Sequence, residues 1–318
     1  MDSALALKAI TAGKNIAASI RQRLLNIARE QKIEFQLILT RFALERFLYR
    51  LSRTNYSKDF VLKGAMLFQV WGGALHRPTR DLDLLSFGAP DIAYFTKTIT
   101  EICTQDFSDD GLLFHSESIL LERIKEEDEY QGLRATLIAT LDTARIPLQI
   151  DIGFGDAIIP APVNIEYPTL LELPTPKLRA YSKETVIAEK FHAMVHRGIA
   201  NSRMKDFYDI WVLATTYEFE ANVLKNAIKA TFKRRETQPP IESPLALTAE
   251  FAEDPTKMVQ WSAFIRKGNL LTRESAALKQ VVPILEKFIM PAVMASTEDK
   301  SSDWNWDPKS LDWIKKSD

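Results

Sequence analysis

The sequence predicts an α/β (α+β) protein, in which a mixed-sheet core is flanked by N-terminal helices and followed by a C-terminal helical bundle. Three observations lead there. Residues 3–53 carry apolar residues at helical spacing, runs between Phe60 and Phe154 have strand composition or alternate at period two, and helix patterns return after a proline-rich stretch. With 318 residues, 46% of them hydrophobic, the chain can bury one large core or two modest ones.

In the first region Ile16, Ile20, Leu24, Leu25 and Ile27 form one stripe, and Leu37, Ile38, Phe42, Leu44, Phe47 and Leu48 another. Arg21, Arg23, Arg29, Lys32, Arg41, Arg46, Arg50 and Arg53 make it basic. A solvated helix face is the simpler account, and contact with RNA phosphates the competing one. Within Phe60–Phe87 an apolar run ends at Lys63-Gly64-Ala65 and Met66–Val70 is helix-like. After a Gly-Gly turn and a short basic loop, Leu82, Leu84 and Leu85 have the composition of a buried strand. Asp91–Phe107 reads as a helix with an aspartate near its start. Leu113–Ile124, Leu133–Leu141 and Ile146–Phe154 read as strands, the last two joined by a hairpin break at Asp142-Thr143-Ala144.

Five of the fifteen prolines lie in Ala157–Lys177, which places the boundary between residues 1–160, helices plus sheet core, and residues 161–318, mainly helical. Leu178–Tyr181 reads as a last short strand. Ser182 then caps a helix whose first turn holds Glu184, and Arg203–Thr215, Ala221–Phe232, Lys257–Lys267 and Glu274–Met290 read as further helices. The tail, with Trp304, Trp306 and Trp313, is too aromatic for a disordered end; it is expected to pack back on the body or to meet a partner protein.

Bulk numbers exclude several classes. Charge is balanced, 41 basic against 42 acidic residues, so the chain is not coated for nonspecific nucleic-acid binding, though a local basic groove stays open. A single cysteine, Cys103, leaves no internal disulfide and suits a reducing cytosol. No apolar run approaches the roughly 20 residues that span a bilayer, and the first residues lack the apolar core of a signal peptide. A soluble cytoplasmic protein without a membrane segment is expected.

The chemistry concentrates around Asp81 and Asp83. At period two both carboxylates face one side of a strand, where they repel each other unless a cation sits between them. A lone DxD more often caps a turn or faces solvent. Here Gly64 stands at an upstream strand-helix junction, where backbone N–H groups can approach a phosphate closely. Phosphate cradle plus acid pair suits a nucleoside triphosphate. Asp151 lies mid-strand among Leu148, Ile150 and Ile152, and a charge there costs several kcal/mol without a partner. It is either a satisfied structural aspartate or a third metal ligand. Asp156, in a Gly-rich turn, is a weaker candidate. Glu189-Lys190 falls mid-helix, where an exposed pair is the ordinary reading. His192 and His196 have ligand spacing but lack the rest of a zinc motif. Asp206 and Asp209 share one helix side, and Lys205 with Asp209 could form a surface salt bridge.

Four segments, LKGAMLF, RPTRDLDLL, YQGLRATLIATLDTARIPLQIDIGFGD and AYSKETVIAEKFHAMVHRGIANSRMKDFYDIWVLA, resemble the AbiEii/AbiGii-type nucleotidyltransferase toxins in order and spacing, from about Phe60 to Pro291. The resemblance implies a nucleotidyltransferase fold whose C-terminal half completes the active site. It implies Mg2+ held by Asp81, Asp83 and Asp151, with NTP as co-substrate. Lys190 would meet the triphosphate, and Asp206 would face the site and orient Lys190 or the acceptor, with Asp209 the competing choice. Gly64 and Ala65 would offer backbone N–H groups to the phosphates, with Lys63 and Arg80 as helpers. Ala65 departs from the family's usual second glycine or serine and loses a hydroxyl ligand. The implied acceptor is RNA, favouring the 3′ end of tRNA so that translation stops, and the implied partner is a cognate antitoxin. A metal-dependent nuclease or phosphodiesterase could use the same acids, and an inactive binding module could keep the fold.

Overall fold

Helical periodicity in the first fifty residues gives α1 (Asp2–Gln31) and α2 (Phe35–Ser52) in the computed structural model, which describes residues 2–72, 77–126, 130–270, 276–298 and 303–315. Two units follow from the packing, Met1–Gly155 with Val163–Ala180, and Asp156–Pro162 with Tyr181–Asp318. The first unit continues with β1 (Phe60–Lys63), α3 (Leu67–Gly72), β2 (Asp81–Ser86), α4 (Ile92–Cys103), β3 (Leu112–Glu126), β4 (Tyr130–Leu141), β5 (Ala144–Phe154), β6 (Val163–Glu166) and β7 (Lys177–Ala180). Asp91 caps α4 by accepting the Tyr94 N–H at 2.7 Å. Part of the Gly-Gly turn and the start of the loop after it, residues 73–76, lie outside the described residues.

One seven-stranded mixed sheet results, in the order β3-β4-β5-β2-β1-β7-β6. β2 pairs in parallel with β5 and antiparallel with β1, so the central strand is held on both edges. Period-two alternation sorts its neighbours. Leu82, Leu133, Ala135, Ile150 and Ile152 are fully buried on one face, where α2 and α4 pack. The acids take the other. β3 carries an irregularity between His115 and Leu120.

Two arginines of the basic first region are not on a surface at all. Arg46 and Arg50 are 1% and 2% exposed, and the Arg50 guanidinium grips Asp110 at 2.5 and 3.1 Å. Reading them as a solvated or RNA-facing face is therefore corrected: their shared partner Asp110, 64 and 60 residues away in sequence, draws them inward. Glu45 beside them is also buried, and it accepts the Leu170 N–H at 2.8 Å. Burial pushes its carboxyl up to about 7, against the pull of the Leu170 N–H, Arg46 and Arg41. A folded-state value above the unfolded one gives stability that is present below about 4.5 and lost as pH rises through about 7. Glu45→Gln keeps the acceptor oxygen without the charge. It should raise the melting temperature at pH 8 and leave it nearly unchanged at pH 5. Equal shifts at both pH values would show that charge burial is not the cause.

The second unit holds α5 (Lys183–Arg197), α6 (Met204–Thr216), β8 (Phe219–Glu220), α7 (Ala221–Arg234), α8 (Ala249–Glu253), α9 (Pro255–Lys267), α10 (Leu278–Glu298), β9 (Trp304–Asp307) and β10 (Asp312–Lys315). Ser182 caps α5 through the Thr185 N–H. α10 runs through Pro283 and Pro291, beyond the expected end at Met290. An interior proline costs about 3 kcal/mol. Burial of Val281, Leu285, Phe288, Ile289 and Val293 on both sides of the breaks offsets it. The aromatic tail packs back on this unit, as β9 and β10 join β8 in a small sheet. Trp306 is fully buried and donates its indole N–H to the Ala214 carbonyl at 2.6 Å, while Trp313 stacks on Phe288 with centroids 5.9 Å apart. No helix among the described residues is long and apolar enough to cross a membrane.

Candidate active site

Strand register brings three of the predicted acids together. Asp83 on β2 lies opposite Asp151 on β5, and Asp81 stands two residues earlier on the same face. One carboxylate oxygen from each lies within 4.8 Å of the others. Asp151 is 7% exposed, whereas Asp81 and Asp83 are half-buried. Thr79 Oγ1 donates to Asp81 Oδ1. Hard oxygen donors on a rigid strand pair suit Mg2+ or Mn2+ far better than zinc. The residues present therefore fit a divalent ion.

Gly64 shows why the upstream junction has its sequence. It follows β1 with φ +76°, in the left-handed region, and a Cβ built on it would lie 2.0 Å from Asp83 Oδ2 and 2.7 Å from Asp83 Cγ. Glycine here makes room for a carboxylate. Lys63 is the register partner of Asp83 on β1, and Ala65 sits in the turn into α3, its carbonyl accepting the Phe68 N–H. Arg80 pairs with Glu34 at 2.8 Å in an exposed contact.

A residue that sequence reasoning missed completes this face. Arg134 on β4 forks onto Asp151, with Nε and Nη2 each 2.8 Å from a different carboxylate oxygen, and Gln149 Nε2 donates to both oxygens at 3.1 and 3.3 Å. The register puts Glu122, Arg134, Asp151, Asp83 and Lys63 in one row across five strands. A signal for it existed. Asp142 has φ +53° and Leu141 faces Ala144 across the hairpin, so counting back along both strands sets Arg134 beside Asp151.

In the second unit Lys190 on α5 meets both candidate aspartates of α6. Its Nζ lies 2.7 Å from Asp206 Oδ1 and 2.8 Å from Asp209 Oδ2, and both acids are fully buried. Both candidates therefore contact the same ammonium. Arg203 Nε also binds Asp206, at 2.6 Å. Burial alone would raise the Asp206 carboxyl, but Lys190 and Arg203 hold it below its usual value. That stability is present above the ordinary carboxylate range and lost as pH falls through the lowered value. Lys190→Ala strips both buried acids of this partner and should cost about 3–5 kcal/mol of unfolding free energy, read by urea denaturation; a loss under about 1 kcal/mol would show the cluster to be structurally idle. His192 is used locally, with Nε2 3.0 Å from Thr237 Oγ1. Asp156 accepts from Tyr181 and Arg235, partners distant in sequence and not local to its turn.

A mixed sheet brings three carboxylates together at one point, a donor set that could hold a metal ion. The family described as "Nucleotidyl transferase AbiEii toxin, Type IV TA system" matches residues 46–283, and this chain belongs to that family of nucleotidyltransferases. Among solved structures, JHP933 from Helicobacter pylori superposes with a TM-score of 0.49 at 16% identity, covering 84% of this chain and 95% of its own. A candidate nucleotidyltransferase from H. pylori gives 0.48 at 16% identity, with 85% and 100% covered. No curated protein matches the sequence.

Proposed function

We propose that this nucleotidyltransferase toxin moves a nucleoside monophosphate from an NTP to an RNA acceptor, with the 3′ end of tRNA favoured, and so blocks translation in the cytoplasm until a cognate antitoxin restrains it. The convergence of Asp81, Asp83 and Asp151 in a chain of this family carries the reading. These three would hold Mg2+, which when bound supplies charge neutralisation for the reacting phosphates. Asp81 and Asp83 orient from one strand and Asp151 from its parallel neighbour. Backbone N–H groups at Gly64 and Ala65 serve phosphate oxygens, and Lys63 and Arg80 add positive charge. Lys190 acts as the counter-charge of the triphosphate, with Asp206 and Asp209 fixing its ammonium; this role rests on the family's lysine.

The test supplies the protein with Mg2+, each labelled NTP in turn and total tRNA. Label entering RNA at one end, dependent on Mg2+, is the expected result. RNA shortened without incorporation would overturn transfer in favour of a metal-dependent nuclease, which the same three acids could serve. Absence of both activities would favour a binding module.

A further inference from the structure

Asp151 is already occupied. A carboxylate offers about four lone-pair positions; the Arg134 fork and the Gln149 amide donate to both of its oxygens. An ion taking Asp151 as ligand must therefore displace or share these donors. Arg134 is the stronger competitor, because its two parallel N–H bonds carry a full charge. It is also reachable from solvent. Its side chain is 34% exposed, against 10% for the Asp151 side chain, so the guanidinium has solvent on one side and the row of acids on the other.

Resting on the metal reading above, we propose that Arg134 is a built-in counter-ion: it occupies Asp151 while the triad holds no metal, releases it to an incoming divalent cation, and then pairs with a phosphate of the nucleotide that arrives with the cation. Three consequences follow from charge alone. Binding of the ion by itself is penalised, since it must break a bidentate ion pair. Binding of ion and phosphates together is not, because the freed fork matches two phosphate oxygens as well as it matches a carboxylate. The site is thus biased against a bare ion and toward an ion that brings phosphates, a coupling between two ligands of one pocket.

The proposal predicts effects of opposite sign in one variant. Free Mn2+ in solution gives a paramagnetic resonance signal that falls on binding, so affinity can be read without turnover. Arg134→Met should bind Mn2+ alone about tenfold more tightly than wild type, because the competing charge is gone. The same variant should bind tripolyphosphate in saturating Mn2+ about tenfold more weakly, because the fork is gone. Arg134→Gln, which keeps a hydrogen bond but no charge, should repeat both signs, and urea denaturation checks that both variants fold. Weaker binding of Mn2+ alone in both variants would overturn the proposal and make Arg134 a fixed support of Asp151. Unchanged tripolyphosphate affinity would overturn it as well. If wild type binds no more Mn2+ than Asp83→Asn, the metal reading itself falls, and the counter-ion proposal with it.

Discussion

Asp83→Asn should lower nucleotide incorporation by about a thousandfold or more while leaving the fold intact. Asparagine keeps the size and one acceptor oxygen of the side chain, and the strand position is half-buried, so stability is expected to change by less than about 1 kcal/mol. What is lost is charge. Asp83 sits in the register row between Lys63 on one side and Asp151 on the other. Incorporation assays with labelled NTP and tRNA, run beside thermal melts, separate the two quantities. Wild-type incorporation by a well-folded Asp83→Asn would remove the triad from the mechanism.

Gly64→Ala should be nearly as damaging, by a different route. Alanine at φ +76° costs about 1–2 kcal/mol of backbone strain. Its methyl group would also stand 2.0 Å from Asp83 Oδ2, far inside contact distance, and nearest to the end of that side chain. The carboxylate has to move. We expect at least a hundredfold loss of incorporation together with a measurable fall in melting temperature. Gly64→Ala with full activity would show that Asp83 tolerates displacement, and the triad geometry would then be looser than its register suggests. The substitution also separates two uses of the glycine, because backbone N–H groups for phosphates survive it while room for Asp83 does not.

Much of this site is local in sequence and could be read there. Asp81 and Asp83 share a face because strands have period two, and Asp151 stands out because an acid amid Leu148, Ile150 and Ile152 needs a reason. The parts that escaped reading depend on pairing between distant segments. Arg134 looks like any polar residue on the outward side of an alternating strand until register sets it beside Asp151. Arg46 and Arg50 look like surface until Asp110 is folded over them. Gly64 was legible as a special position for phosphate approach, and its closeness to Asp83 is a second reason that only the fold shows. The pair Asp206 and Asp209 was legible as one helix side, and a single lysine between them uses both. The last helix runs past its expected end at Met290 and through Pro291, where apolar burial on both flanks outweighs local helix-breaking.

Protein synthesis is vectorial, and the Trp-rich hairpin gives that order a structural meaning. Trp306 fills a fully buried position against α6 and α10, yet it emerges from the ribosome some ninety residues after the Ala214 carbonyl it bonds. Until then the second unit, which includes Lys190 and its two aspartates, lacks two large core side chains, Trp306 and Trp313. A chain stopped short of Trp306 lacks the indole that fills this position. Closure of that unit thus waits on the hairpin that carries Trp306 and Trp313.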